Sequence, residues 1–377
     1  MKEINIARVI AEKRKEKGIT QDELANYIGV SKASVSKWET GQSYPDVTFL
    51  PLLATYFNIS IDELMDYKPQ MTKEDIRLLY KRLAEDFTSK PVHVVMDECR
   101  QIIKKYYSCF PLLLQMGILL VNHSSLFKEP QEIRGVFEEA KGLFIRIREE
   151  SGDISLTKQA LFLEALCNLS LNDPHGVLEL LGGEVEPVMP PEPLLASAYQ
   201  MTGRLDEAKR VLQIGMFQNI VALFNLFPGY LTLCNDEPKI FEEVLRRALA
   251  IVEVFDLRNL HPAIVVGIYI NGAQGYIAQG NHDQALELLQ AYTTLVTGDI
   301  YPLKLHGDGF FDRIDNWLED LDLGTNLPRD EKTIRQSMAD VVVHNPIFAA
   351  LADNKKFQGI IARLQNNVPS QNNFLKQ

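Results

Sequence analysis

Ile19-Thr20-Gln21-Asp22-Glu23-Leu24-Ala25-Asn26-Tyr27-Ile28-Gly29-Val30-Ser31-Lys32-Ala33-Ser34-Val35-Ser36-Lys37-Trp38-Glu39-Thr40-Gly41 is the stretch that decides how this chain folds. Thr20 and Glu23 have the spacing of a capping box, in which the Thr hydroxyl accepts the Glu23 amide and the carboxylate reaches back to the Thr20 amide. Leu24, Ala25 and Ile28 then share one face of a short helix. Gly29 ends it, because glycine takes the left-handed conformation at no steric cost. Ser31 caps a second helix, with Val35 and Trp38 inward. So short a turn makes the two helices cross steeply. The outer surface of the second helix is Ser31, Lys32, Ala33, Ser34, Ser36 and Lys37, with no acid before Glu39. Small and basic residues at a helix N-terminus suit the major groove of DNA, where the helix dipole also favours phosphate.

Outward from this pair, Ile6, Val9 and Ile10 mark a preceding helix over about Asn5–Lys17, stopped by Gly18. Pro45 suits the first turn of a fourth helix with Phe49, Leu50, Leu53, Ala54 and Phe57 on its apolar face. Ser60 and Glu63 form a second capping box that opens a fifth helix carrying Leu64.

The pattern T-Q-x-x-L-A, then G-V-S, then S-x-W-E-x-G, set within about Ile6 to Leu64 without a gap, closely resembles the Cro/cI-like (XRE) family of helix-turn-helix regulators. The resemblance implies a five-helix, lambda-repressor-like domain that reads double-stranded DNA. It implies that Gln21 bonds a phosphate and that Lys32, Ala33 and Lys37 face base edges, with Ser31, Ser34 and Ser36 beside them. Arg14 and Glu39 match a pair that ties the first helix to the end of the third, a structural role preferred here over DNA contact. Thr40, Gln42 and Ser43 follow the reading helix, where backbone amides meet the next phosphates. Lys32 is read either as a guanine contact or as a phosphate contact, and the operator sequence is not given by this residue set.

The remainder reads as helices separated by Gly, Pro and Asn-Asp breaks. Tyr199-x3-Gly203-x4-Ala208 recurs 77 residues later as Tyr276-x3-Gly280-x4-Ala285, with a degenerate copy at Ala165–Val177 turning at Asn172. These segments resemble tetratricopeptide (TPR) repeats, in which Ala196 and Ala273 let paired helices approach. Amphipathic hairpins cannot bury their own faces, so stacking them yields an α-solenoid with a concave groove. The fold expected is all-α: a helix-turn-helix domain over 1–67, a linker over 68–72, a TPR-like body over 73–365 and a disordered tail over 366–377. Asn122, Asn168, Asn225 and Asn271 are candidate peptide-binding residues, since an Asn side chain both donates to and accepts from a peptide backbone; for each one taken alone, capping a turn or facing solvent is the preferred reading. Phe224, Phe227, Tyr230, Tyr269 and Tyr276 are read as groove or core. The last helices are expected over about Asp330–Val343 and Pro346–Leu364.

With 377 residues, two or three units are expected. The net charge is −11, yet residues 1–45 hold eight Lys/Arg against six Asp/Glu, a balance of +2 that leaves −13 for the rest. A mildly basic front end on an acidic body fits a DNA reader joined to a part that does not touch DNA. No signal peptide is read at the start, and stretches such as 110–121 and 263–270 fall short of the ~18 apolar residues of a membrane span. A cytoplasmic protein without membrane contact is therefore expected. Cys99, Cys109, Cys167 and Cys234 form no C-x-x-C pair and are expected reduced and buried. No metal, no cofactor and no catalytic residue are expected, since neither a ligand spacing nor a Ser/Lys, Cys/His or Gly-rich phosphate constellation is present.

A Cro/cI-like head on a TPR-like body resembles regulators of Gram-positive bacteria that include the RRNPP peptide receptors. That implies a homodimer on a near-palindromic operator, controlled by a short signalling peptide. The alternative is a body that only dimerises or docks a partner protein, with no small effector.

Overall fold

The computed structural model describes residues 5–67, 70–185, 187, 189–326 and 328–368. The chain divides into two compact units. One comprises the head through Thr72 together with Gln101–Leu113; the other comprises Lys73–Arg100 and the chain from Leu114 onward. Residues 101–113, expected in the body, thus belong with the head, where Gln70 Nε2 donates to the Ser108 carbonyl at 3.2 Å.

The head holds α1 (Ile6–Glu16), α2 (Gln21–Ile28), α3 (Lys32–Glu39), α4 (Leu50–Phe57) and α5 (Ile61–Met65). Both capping boxes form, at Thr20/Glu23 and Ser60/Glu63. Ile6, Ile10, Leu24, Ala25, Val35, Trp38, Leu53, Phe57 and Leu64 close over one another as its core. Pro45 does not start α4. It is buried ahead of a 3₁₀ turn, Val47–Phe49, capped by Asp46, and Pro51 occupies the first turn of α4 instead. Either proline satisfies the same rule, that the first turn has no use for the missing N–H.

The body begins with α6 (Lys73–Ser89), α7 (Val92–Lys105), which runs into the segment grouped with the head, and α8 (Phe110–His123). Then come α9 (Pro130–Glu150), α10 (Ile154–Ser170), α11 (Pro174–Leu181), α12 (Glu192–Met201), α13 (Leu205–Leu233) and α14 (Pro238–Val254). The chain continues through α15 (Leu257–Leu260), α16 (Pro262–Ala278), α17 (His282–Val296), α18 (Asp315–Glu319), α19 (Glu331–Val343) and α20 (Lys355–Asn366). Among the described residues the sole β feature is an isolated bridge between Lys304 and Asn326. Consecutive helices pack as hairpins, α9 on α10, α10 on α11, α12 on α13 and α16 on α17, so the head is followed by a helical, solenoid-like region.

The 77-residue repeat is also a repeat of hydrogen bonds. Arg204 N donates to Tyr199 O and Asn281 N to Tyr276 O, both at 2.8 Å; Ala208 N and Ala285 N then donate to the carbonyls of Arg204 and Asn281. Gly203 and Gly280 make the turns at φ +75° and +76°. In the degenerate copy Asp173 N bonds Asn168 O at 2.8 Å, and Asn172 takes the turn at φ +61°. Ala165, Ala196 and Ala273 are buried where the paired helices meet.

Three expectations are revised. The stretch expected as one helix over 346–364 is a 3₁₀ segment, Pro346–Leu351, then α20, because Asn354 caps a new start by accepting the amides of Lys356 and Phe357. The longest apolar helix is neither 110–121 nor 263–270 but α13, 29 residues long and apolar enough by length and composition to cross a membrane. Its Gln213, Gln218, Asn219 and Asn225 interrupt the run and hid it. Of the expected tail, Asn366 ends α20 and Asn367 bonds Val296 O at 2.9 Å; residues 369–377 lie outside the described residues. Among the aromatics, Phe224, Tyr269 and Tyr276 are core, Phe227 packs against them, and Tyr230 is half exposed.

All four cysteines are free and buried, and burial pushes the Cys99 and Cys167 thiols up to about 12. In the loop before α18, Asp308 accepts the amides of Phe310 and Phe311 while Asp315 accepts that of Gly307, so these carboxylates are spent on backbone. Phe311 and Ile314 anchor this loop in the core.

Candidate nucleic-acid interface

α2 ends at Ile28, Gly29 turns the chain at φ +82°, and Ser31 restarts it by accepting the Ser34 amide at 3.1 Å. Leu24, Ala25 and Ile28 on α2 and Val35 and Trp38 on α3 are buried, so the opposite side of α3 faces solvent. Ser31, Lys32, Ala33 and Lys37 are exposed there, with Ser34 and Ser36 half-buried beside them. Neither Lys32 nor Lys37 forms an ion pair among the described residues. On α1, by contrast, Arg8 pairs with Glu12 and Asp66, and Lys13 with Glu16. Two uncommitted cations therefore stand on α3 above amides that point along the helix axis, the combination that attracts phosphate.

α3 is held from beneath. Arg14 donates from Nε to Glu39 Oε1 at 2.5 Å and from Nη2 to Glu39 Oε2 at 3.0 Å, and its Nη1 reaches Ile19 O at 2.8 Å. Burial alone would push the Glu39 carboxyl up. Hydrogen bonds from Arg14 and Gln21 and the guanidinium charge outweigh it and hold the group below the usual carboxylate range. Gln21 spends one side-chain N–H on Glu39 at 2.8 Å, and its amide carries a second N–H besides.

The segment after α3 differs from expectation. The amides of Thr40 to Ser43 are used inside the chain: Thr40 N bonds Ser36 O, Gly41 N bonds Trp38 O, and Gln42 N and Ser43 N both bond Lys37 O. Gly41, at φ +71°, permits this closure of the helix C-terminus. Backbone amides at 40, 42 and 43 are thus not free for phosphate, and only the side chains of Thr40, Gln42 and Ser43 remain. Tyr44, exposed directly after them, was missed in the sequence; its signal was an aromatic in a polar loop.

In the body, the four asparagines lie on separate helices. Asn122 on α8 donates to the Tyr80 hydroxyl at 3.3 Å. Asn168 on α10 is buried, with its Oδ1 lacking a partner among the described residues. Asn271 on α16 donates to Gly267 O at 2.9 Å and accepts from Thr232 on α13 at 3.1 Å. Asn225 is exposed on α13, seven residues before Thr232 and on the same face. Asn225 and Asn271 are therefore brought to neighbouring surfaces; Asn122 and Asn168 sit elsewhere, on α8 and α10.

Residues 10–64 match the family model described as Helix-turn-helix. The sequence is 37% identical over 59 residues to the HTH-type transcriptional activator BcrR of Enterococcus faecalis, a match covering 16% of this chain and 29% of that protein's length. Among solved structures, apo ComR from S. thermophilus aligns at 15% identity over 79% of this chain and 94% of its own, with a TM-score of 0.24. Apo ComR from Streptococcus vestibularis gives 15% identity over 85% and 99%, also at 0.24. ComR from S. thermophilus in complex with DNA and its signalling peptide ComS gives 14% over 96% and 99%, at 0.18.

Proposed function

We propose that this chain, whose residues 10–64 are an XRE-type helix-turn-helix domain, is a sequence-specific DNA-binding transcriptional regulator that works as a homodimer. The observation that carries this reading is α3: a solvent-facing helix with uncommitted Lys32 and Lys37, clamped by Arg14–Glu39 and presented by the Gly29 turn. α3 lies in the major groove with Lys32, Ala33 and Lys37 on base edges, Ser31, Ser34 and Ser36 on bases or backbone, and Gln21, Thr40, Gln42 and Ser43 on flanking phosphates. Two heads read half-sites with centres ~34–36 Å apart. Selection of duplexes from a random pool by the full chain tests this. A near-palindrome is expected, with Lys37→Ala losing its enrichment; failure to enrich any sequence would sink the reading.

The TPR-like body sets the arrangement of the two heads, and a short peptide that binds one arrangement better shifts DNA affinity. Asn122, Asn168, Asn225 and Asn271 are its proposed contacts, and Asn225, exposed and uncommitted among the described residues, is the first to test. A second reading, a body that only dimerises or docks a protein, is favoured by the internal pairing of Asn122 with Tyr80 and of Asn271 with Thr232. Native mass spectrometry with the peptide fraction of host culture medium separates the two. A discrete added mass that Asn225→Ala weakens supports peptide control, and no added mass supports docking.

A further inference from the structure

From the exposed face of α13 we infer that this helix is the seam between two copies of the chain. The inference rests on the dimeric reading above and names its surface. Leu205, Leu212, Asn219, Leu226 and Leu233 recur every seven residues, with Lys209, Met216, Leu223 and Tyr230 alternating four and three residues on. This is an a/d heptad pattern held over the whole helix. All nine positions are exposed, the seven apolar ones by 38% at Leu223 to 77% at Leu233. The stripe is not the helix's own core face. Phe217, Phe224 and Leu231, also seven apart, are buried on the other side, where Pro228 meets Gly267 of α16.

The occupant follows from period, charge and size. A strict seven-residue repeat drifts about 20° per heptad on a straight helix, so only a partner helix wound around it keeps contact throughout. Lys209 is the one charge on the stripe, and residues 211–235 contain no Asp, Glu, Lys or Arg, which leaves too little charge to hold a nucleic acid or an anionic membrane. The stripe is about 42 Å long at 1.5 Å per residue, longer than a short helical or folded peptide covers. Seven half-open large side chains expose several hundred Å², above what a monomer ordinarily leaves uncovered and approaching the roughly 800 Å² per partner of a stable dimer. Asn219 is the fifth of the nine positions. Asn219 Nδ2 donates to Gly215 O at 2.8 Å. Pairing with a second copy in either sense brings its remaining N–H and its Oδ1 next to those of its twin, where the two amides bond each other and fix the register, the role a lone polar residue plays in such seams.

The test uses the full chain in sedimentation velocity and in binding to DNA with one or two half-sites. Leu212→Glu with Leu226→Glu should raise the dimer Kd on the order of a hundredfold or more and abolish the preference for two half-sites. Since all four native thiols are buried, Asn219→Cys supplies a single surface thiol and should give one covalent dimer on mild oxidation, which decides the matter if the glutamate variant fails to fold. A folded glutamate variant that remains dimeric, or an Asn219→Cys dimer that does not cross-link, overturns the seam and leaves the dimeric reading standing. A wild-type chain that stays monomeric and binds a lone half-site tightly, or that floats with phosphatidylcholine vesicles instead of pairing, removes both.

Discussion

Arg14 and Glu39, 25 residues apart, meet in a two-pronged ion pair with only 14% and 7% of their side-chain surfaces exposed. Removing one partner leaves a largely buried charge without its counter-ion, a change that typically costs about 3–5 kcal/mol. Arg14→Ala or Glu39→Ala should therefore destabilise the head by about that amount, and Arg14→Lys should recover only part, because an ammonium cannot make the paired donation. Hydrogen exchange of residues 5–67 in the full chain reads the effect. Protection unchanged in Arg14→Ala would show that the clamp contributes nothing to the head.

Lys32→Ala tests what α3 reads. Against a selected operator the expected loss is about 1–3 kcal/mol, with relaxed preference at one base pair. A uniform loss on every sequence, with the salt slope smaller by about 1, would instead make Lys32 a phosphate contact. Anisotropy titrations at several salt concentrations separate the outcomes.

His261 predicts a pH dependence in the body. Burial pushes its imidazole down to about 4, helped by the charge of His306, while a backbone hydrogen bond opposes; its ring stacks near Phe217. The unfolded chain takes up this proton near pH 6.5 and the folded chain does not until about 4, so the unfolded state gains as pH falls through that window. This contribution is intact above about pH 6.5 and shrinks by roughly 3 kcal/mol on the way down to about 4, then levels. Urea midpoints of wild type minus His261→Leu should trace this curve, and parallel curves would refute it.

Gly203 and Gly280 have positive φ, and a Cβ at either would meet nothing within 4 Å. Substitution there tests backbone strain alone. Gly203→Ala should cost about 1–2 kcal/mol, and Gly203→Asn less, since Asn172 already holds the equivalent turn. Equal midpoints for the Ala and Asn variants in urea unfolding would contradict the assignment of that equivalence.

What was legible in the sequence was local. The Thr20/Glu23 and Ser60/Glu63 boxes, the Gly29 turn and the three related turns of the body each depend on residues within about ten positions of one another. Pro45 and Pro51 both satisfied the rule for a first turn, and only packing chose between them. The engagement of the 40–43 amides was hidden because it depends on Lys37 O accepting twice. The asparagines of the body were hardest: Asn122 meets Tyr80 from 42 residues away and Asn271 meets Thr232 from 39, distances over which sequence spacing says nothing. α13 was missed because its apolar stripe is diluted by the amides between its turns; hydropathy averaged over a window of the helix and the seven-residue period both reveal it.

The matched hydrogen bonds at Tyr199–Arg204 and Tyr276–Asn281 also bear on how such a chain changes length over evolutionary time. Two junctions with the same bonds, the same left-handed turn and the same small residue seating the second helix are interchangeable ends. A duplication or deletion of the 77-residue block between them rejoins like with like and needs no new turn chemistry. A body of this build can thus lengthen or shorten in whole blocks, while the helix-turn-helix head, with its single-copy clamp, has no such freedom.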